Sequence, residues 1–146
     1  MKITEALLAE HQVFHNVFDH LEKQAATLKS VAEIRALGNL LEVMLAAHAR
    51  TEDDLFITPL EHCLEQIGQR DTFHQEHEAI DEGLRGLSKA QQLKAARKLL
   101  LAAVLASRKH FDKEERIIFP LAERMMSQTT LMTLGQKWAD RRINGP

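Results

Sequence analysis

Tyrosine is absent from the 146 residues, and cysteine occurs once, at Cys63. Without tyrosine there is no phenolate ligand and no tyrosyl radical. A lone thiol makes neither an intrachain disulfide nor a cysteine-based zinc site, and it suits a reducing cytosol. Glycine is sparse at six and proline at three, one of them terminal, which leaves few breaks in the pattern. No apolar run approaches the ~18 residues of a membrane span, and the charged start Met1-Lys2-Ile3-Thr4-Glu5 lacks signal-peptide character. The expectation is a cytoplasmic protein with no membrane partner. Surplus positive charge is missing too. Nineteen Lys and Arg against 21 Asp and Glu leave a net charge of −2, which argues against an electrostatic nucleic-acid binder. The length is about one domain's worth, 1–146, enough for a core without disulfide or metal staples.

What is abundant is helix-forming Leu, Ala, Glu, Lys and Gln, with apolar residues recurring at three and four rather than two. The pattern predicts an all-α chain. Helix A runs over about 4–28, with Thr4 as N-cap. Helix B starts after Ser30, whose capping box is completed by Glu33, and runs to about Thr58, where Pro59 ends or kinks it. A continuation reaches Ile67, and Gly68 supplies the stop. Helix C covers about 71–87. Helix D runs from Ser88 to about Phe119, before Pro120, and a short C-terminal helix covers about 129–141. Short loops between four long helices imply an antiparallel up-down-up-down bundle. The chain also repeats itself. The stretch from His48 through Glu52 to Pro59 resembles that from His110 through Glu114 to Pro120, and Glu10-His11 resembles Glu76-His77. Two copies of one helical hairpin, about 4–67 and 71–126, account for this.

The repeat carries the chemistry. Helix B places Leu37, Leu41, Met44, His48, Glu52 and Leu55 on one stripe. Helix D places Leu99, Ala103, Ala106, His110, Glu114 and Ile117 on another, 62 residues later at every position. His and Glu four apart lie about 40° apart and about 6 Å along the axis, both facing inward. Helix A offers His11 and His15, and helix C offers His74, His77 and Asp81, with His11 and His77 related by 66 residues. At least four imidazoles and two carboxylates therefore meet in one buried layer. Unpartnered, each buried polar group costs roughly 1–3 kcal/mol, and a cation satisfies them together. The set is too large for one structural zinc and too nitrogen-rich for calcium or magnesium. Imidazole with carboxylate suits iron, manganese, zinc or copper, and two cations bridged by two carboxylates fit the count. The Glu-x-x-His signature of ferritin-like sites is absent. His20, on the opposite face of helix A, and His62, beyond Pro59, read as solvated. The acidic trios around Glu52 and Glu114 read as solvated apart from those two. Met44, Ala106, Phe18 and Leu84 read as the wall of the pocket.

These motifs resemble the hemerythrin-like (HHE cation-binding) family over about residues 5–125. Their carriers are Glu10-His11, His48-x-x-x-Glu52, Glu76-His77 and His110-x-x-x-Glu114. The resemblance implies a non-haem di-iron centre with an oxo or hydroxo bridge. His11 and His48 would hold one iron, His77 and His110 the other, and Glu52 and Glu114 would bridge. Oxygen-carrying members have His-x-x-x-His in helix C, where this chain has Phe73. His74, on the same face as His77, is the expected additional ligand. His15 is the weaker candidate, with Asp81 as an alternative partner. The function implied is binding or sensing of dioxygen or another small diatomic or peroxide ligand, ahead of an enzyme. The alternative is peroxide or nitric oxide detoxification, or iron supply or iron-centre repair, at the same site. A purely structural metal bundle is the third possibility.

Overall fold

In the computed structural model, which describes residues 1–144, every element is helical, and no strand occurs among the described residues. The elements are α1 (Ile3–Thr27), α2 (Val31–Glu52), α3 (Thr58–Gln66), α4 (Arg70–Lys89), α5 (Leu93–Lys113), α6 (Phe119–Met125) and α7 (Gln128–Asn144). They pack as a helical bundle: α1 lies against α5 and α7, α2 against α4 and α5, and α4 against α5.

Local chemistry explains most boundaries. The Ser30 hydroxyl accepts from the Glu33 amide, while the Glu33 carboxylate accepts from the Ser30 amide, so two orphan donors of α2 are satisfied reciprocally. Gly68 has φ of 67°, the left-handed conformation that glycine adopts without a Cβ clash, and it turns the chain from α3 into α4. Ser127 caps α7 by accepting from the Thr130 amide. Two boundaries differ from the sequence reading. Thr4 is not the cap of α1. It sits in the first turn, buried, with its hydroxyl bonded to Glu123, and Lys2 is the N-cap, its amide donating to Glu5. Ser88 does not start helix D either. It lies in the last turn of α4, donating to the Arg85 carbonyl, and α5 begins at Leu93.

The prolines neither end nor sharply break their helices. Each comes after a single π-helical turn, Asp53–Ile57 before Pro59 and Glu114–Ile118 before Pro120. A proline ring collides with the carbonyl four residues back and cannot donate to it. The wider π turn relieves that collision, and Thr58 donates its hydroxyl to the Asp53 carbonyl. The inserted residue rotates the helix beyond it. Ile118, not the expected Ile117, is buried, and Ile117 is 44% exposed. Single π turns inside α-helices occur often at functional positions, and both of these begin beside the His-x-x-x-Glu motifs.

Two apolar clusters fill the interior, and the histidine layer lies between them. One includes Phe14, Phe18, Leu41, Leu84, Leu100 and Phe111. The other includes Leu7, Phe56, Leu60, Phe73, Ile118 and Phe119. No helix among the described residues is long and apolar enough to cross a membrane.

Candidate metal centre

α1 contributes His11, α2 His48 and Glu52, α4 His77, and the α5 segment His110 and Glu114. His11, Glu52 and Glu114 have no exposed surface, and His48 and His110 are 3% exposed. Two groups of four form. His11, His48, Glu52 and Glu114 bring one ligand atom each within 4.8 Å of one another, and so do Glu52, His77, His110 and Glu114. The two groups share both carboxylates. The inward Nε2 atoms face them: His11 lies 3.3 Å from Glu114, His110 2.8 Å from Glu114, and His48 and His77 each 3.8 Å from Glu52.

Inside the layer, hydrogen bonding is incomplete. Nε2 of His11, Nε2 of His48 and all four carboxylate oxygens of Glu52 and Glu114 are buried without a hydrogen-bond partner. Six such atoms converging on one place form a donor set that fits a positive ion. Protons take part of that role in the metal-free chain. Burial, and then the charge of Glu114, push the Glu52 carboxyl well above the usual carboxylate range. Burial acts the same way on Glu114, but His110 and His11 outweigh it and hold Glu114 below that range. His110 is also opposed by burial, yet Glu114 and Glu76 draw it up to about 9. His77 is pushed down to about 3, by burial first and then by the neighbouring His110, whose Nε2 lies 2.6 Å from its own.

The outward nitrogens are held as well. Nδ1 of His48 meets Glu10 at 2.8 Å, Nδ1 of His110 meets Glu76 at 2.8 Å, and Nδ1 of His11 meets Glu115 at 3.0 Å. Asp53 stands 3.8 Å from Nδ1 of His77. A carboxylate on Nδ1 fixes the N–H there and leaves the Nε2 lone pair pointing inward, the usual support for a metal-ligating histidine. Glu10 and Glu76 thus serve not the histidine that comes after them but one on the adjacent helix. A step of one residue turns the side chain about 100°, away from the centre. Asp53 and Glu115, expected to be solvated, are partly buried. The repeat already marked them, because an acid comes directly after each of Glu52 and Glu114.

Two expected contributors are not brought to the layer. His74 is exposed and belongs to neither group, and Phe73, one residue earlier, turns inward instead. Its ring lies 4.6 Å from that of His77 and 4.9 Å from that of His110. His15 also stays outside both groups. It does not pair with the exposed Asp81, but lies 3.3 Å from Arg108 and 3.6 Å from Glu115. His20 and His62 are exposed, as expected.

The two halves are walled differently. Phe111 stacks on His11 at 3.8 Å, and Phe14 lies 5.4 Å from His48. Their counterparts in the repeat are Ala49 and Ile80. Beside the smaller residues lies a cavity of about 270 Å³ lined by Ala49, Ile80, His48, His77 and His110, with Phe111 also reaching it. The expected wall is therefore corrected. Phe18 and Leu84 belong to the apolar cluster, Ala106 and Met44 pack against it, and Met44 also lines, with Phe14 and His48, a second groove beside Trp138.

Residues 2–122 match the model of the hemerythrin HHE cation binding domain. The chain belongs to this family. A search of curated proteins and a search of solved structures each returned no match. Family membership and the paired clusters together make this a metal-binding protein. The HHE match ends at residue 122, so α7 lies outside it.

Proposed function

We propose that this HHE domain is a non-haem di-iron protein that binds or senses dioxygen, or a diatomic or peroxide ligand of similar size. His11, His48, His77 and His110 would hold the irons, and Glu52 and Glu114 would bridge them. The observation that carries the reading is the sharing: both four-residue groups contain the same two buried carboxylates. One cation would leave a pair of inward imidazoles without a partner, whereas two bridged cations use all six side chains. Iron is the metal proposed because imidazole with carboxylate suits a redox-active first-row ion and because the chain is hemerythrin-like. The four long helices α1, α2, α4 and α5 are read as an antiparallel up-down-up-down arrangement around this centre.

When bound, the iron pair would supply a redox-active centre for a small exogenous ligand. The chain's own groups do the remainder. Glu10, Glu76 and Glu115 hold the ring orientations, Glu52 and Glu114 offset positive charge, and Phe14, Phe73 and Phe111 keep water from the layer. The cavity beside Ala49 and Ile80 offers the way in, next to His77 and His110. With six protein ligands for two metals, coordination positions remain for a ligand entering there. Anaerobic titration with Fe²⁺ tests the centre. A break at two equivalents, with a stable adduct forming on addition of oxygen or azide, is the expected result. A break at one equivalent removes the dinuclear reading, and repeated turnover of peroxide or nitric oxide replaces binding with enzymatic chemistry.

A further inference from the structure

The two halves of the centre are buttressed by different parts of the chain. In one half, Glu76 holds His110 and is itself held by Lys113, whose Nζ lies 2.8 Å from the same carboxylate. Lys113 lies on the same helix as His110, directly before Glu114. The repeat places Thr51 at the equivalent position, 62 residues earlier and directly before Glu52. Threonine carries no charge and cannot reach Glu10. The missing cation comes instead from α7. Arg142 donates from Nε to Glu10 at 2.6 Å and from a terminal nitrogen to the Thr51 hydroxyl at 3.0 Å. Its guanidinium also lies over the Trp138 ring, 5.7 Å from the centroid. The base of α7 is anchored separately. Leu131 and Leu134 are buried, and Gly135 lies so close to Met1 and Lys2 that a Cβ would strike the Met1 carbonyl oxygen.

We propose that Arg142 is a positioning residue for the metal centre, supplying from another helix the cation that the first hairpin lacks, so that docking of the end of α7 and metal retention by His11 and His48 are coupled. The chain of contacts is Arg142 to Glu10 to Nδ1 of His48. It orients the imidazole and presents its Nε2 lone pair. Coupling of this kind is reciprocal: a metal held by His48 tightens the end of α7, and a docked α7 tightens the metal. The inference rests on the two-metal reading, but one readout is independent of metal.

The test compares wild type with Arg142→Gln, Arg142→Lys and the neighbouring Arg141→Gln. In metal-free protein, ¹⁵N NMR of the His48 ring should show one tautomer, protonated at Nδ1, in wild type and a mixture in Arg142→Gln. In Fe²⁺-loaded protein, an added chelator should remove one of the two irons ~10–100-fold faster in Arg142→Gln, if the affinity lost with an outer hydrogen-bond partner is expressed in the release rate. The other iron should leave at the wild-type rate. Arg142→Lys should recover most of the loss, Arg141→Gln should show none, and Thr51→Lys in the Arg142→Gln background should restore retention. Unchanged release with an unchanged tautomer overturns the proposal. So does acceleration of both irons by one factor, the mark of a general loss of packing, and so does a Thr51→Lys that leaves the loss untouched. A wild type that holds one iron overturns the dinuclear reading alone, and the His48 tautomer still decides the role of Arg142.

Discussion

Replacing Glu52 by methionine should make the metal-free protein more stable while abolishing its response to metal. Glu52 is fully buried, and neither of its oxygens has a hydrogen-bond partner. Burial and the charge of Glu114 raise its pKa, so the charged carboxylate is disfavoured in the metal-free fold, and a proton between Glu52 and Glu114 would relieve no more than one of its oxygens. At least one buried acceptor remains unsatisfied, at a cost of about 1–3 kcal/mol. Methionine has nearly the same length and shape, carries no strong acceptor and adapts to irregular gaps. The substitution therefore recovers about 1–3 kcal/mol, less whatever repacking costs. For a chain of this length 1 kcal/mol moves the thermal midpoint by about 3 °C, so a rise of roughly 3–9 °C is expected. Wild type should gain more than that when metal is added, about 2.7 kcal/mol per site at 100 times the dissociation constant. Glu52→Met should gain almost nothing, because both metal positions lose a shared ligand. Circular-dichroism melts with chelator and with anaerobic Fe²⁺ measure both effects. A chelated variant that melts below chelated wild type would refute the claim that Glu52 is held in an unfavourable site. A metal-induced shift as large as that of wild type would refute its role as a ligand.

The remaining expectations come from the same geometry. Metal binding near pH 7 should release protons from the site, His110 foremost because its pKa is drawn up to about 9 and ligands bind deprotonated; a weakly buffered titration with an indicator dye reads this, and no release would contradict the assigned protonation of His110. The two forms should also show opposite pH slopes. His110, with its raised pKa, binds more protons folded than unfolded between its two pKa values, so metal-free stability should fall as pH rises from ~6.5 through about 9. The loaded protein should instead lose metal as pH falls below ~6.5, where protons compete for the imidazoles; denaturant melts of both forms across about pH 5–9 measure the two slopes, and slopes of the same sign would refute this. Ala49→Phe should fill the cavity with the ring that Phe111 supplies in the other half, leaving two irons bound but slowing azide association at least tenfold in stopped flow; an unchanged rate would place the entry elsewhere. His74→Ala should keep both irons and its spectrum, since His74 is exposed, and loss of an iron would return it to the ligand set.

How much of this was legible in one dimension depends on which angle each feature requires. The inward position of His48, Glu52, His110 and Glu114 is a property of single helices. A spacing of four residues fixes the azimuth of the second side chain relative to the first, and the apolar stripe identifies the core side. The 62- and 66-residue offsets then place His11 and His77 with them, because two copies of one hairpin fold alike. The caps at Ser30 and the reversal at Gly68 are equally local, set by side-chain hydrogen bonds and glycine's conformational range.

Choices between helices were settled by tertiary structure. Glu10 stands beside His11 in the chain but serves His48, because its azimuth points at α2. His74 and Phe73 differ by one residue, about 100° of rotation, and only the register of α4 against α5 determines that the phenyl ring turns inward. The π turns shift Ile117 outward in favour of Ile118, a displacement that a regular 3.6-residue period does not contain. Arg142 is the most distant case. Nothing in the pattern of α7 names Glu10 as its partner, 132 residues away. That pairing arises from packing Gly135 against the N-terminus of α1, which brings the end of α7 over the first hairpin. Periodicity within a helix is written in its own sequence, whereas register and azimuth between helices depend on how side chains of several segments fill a common space.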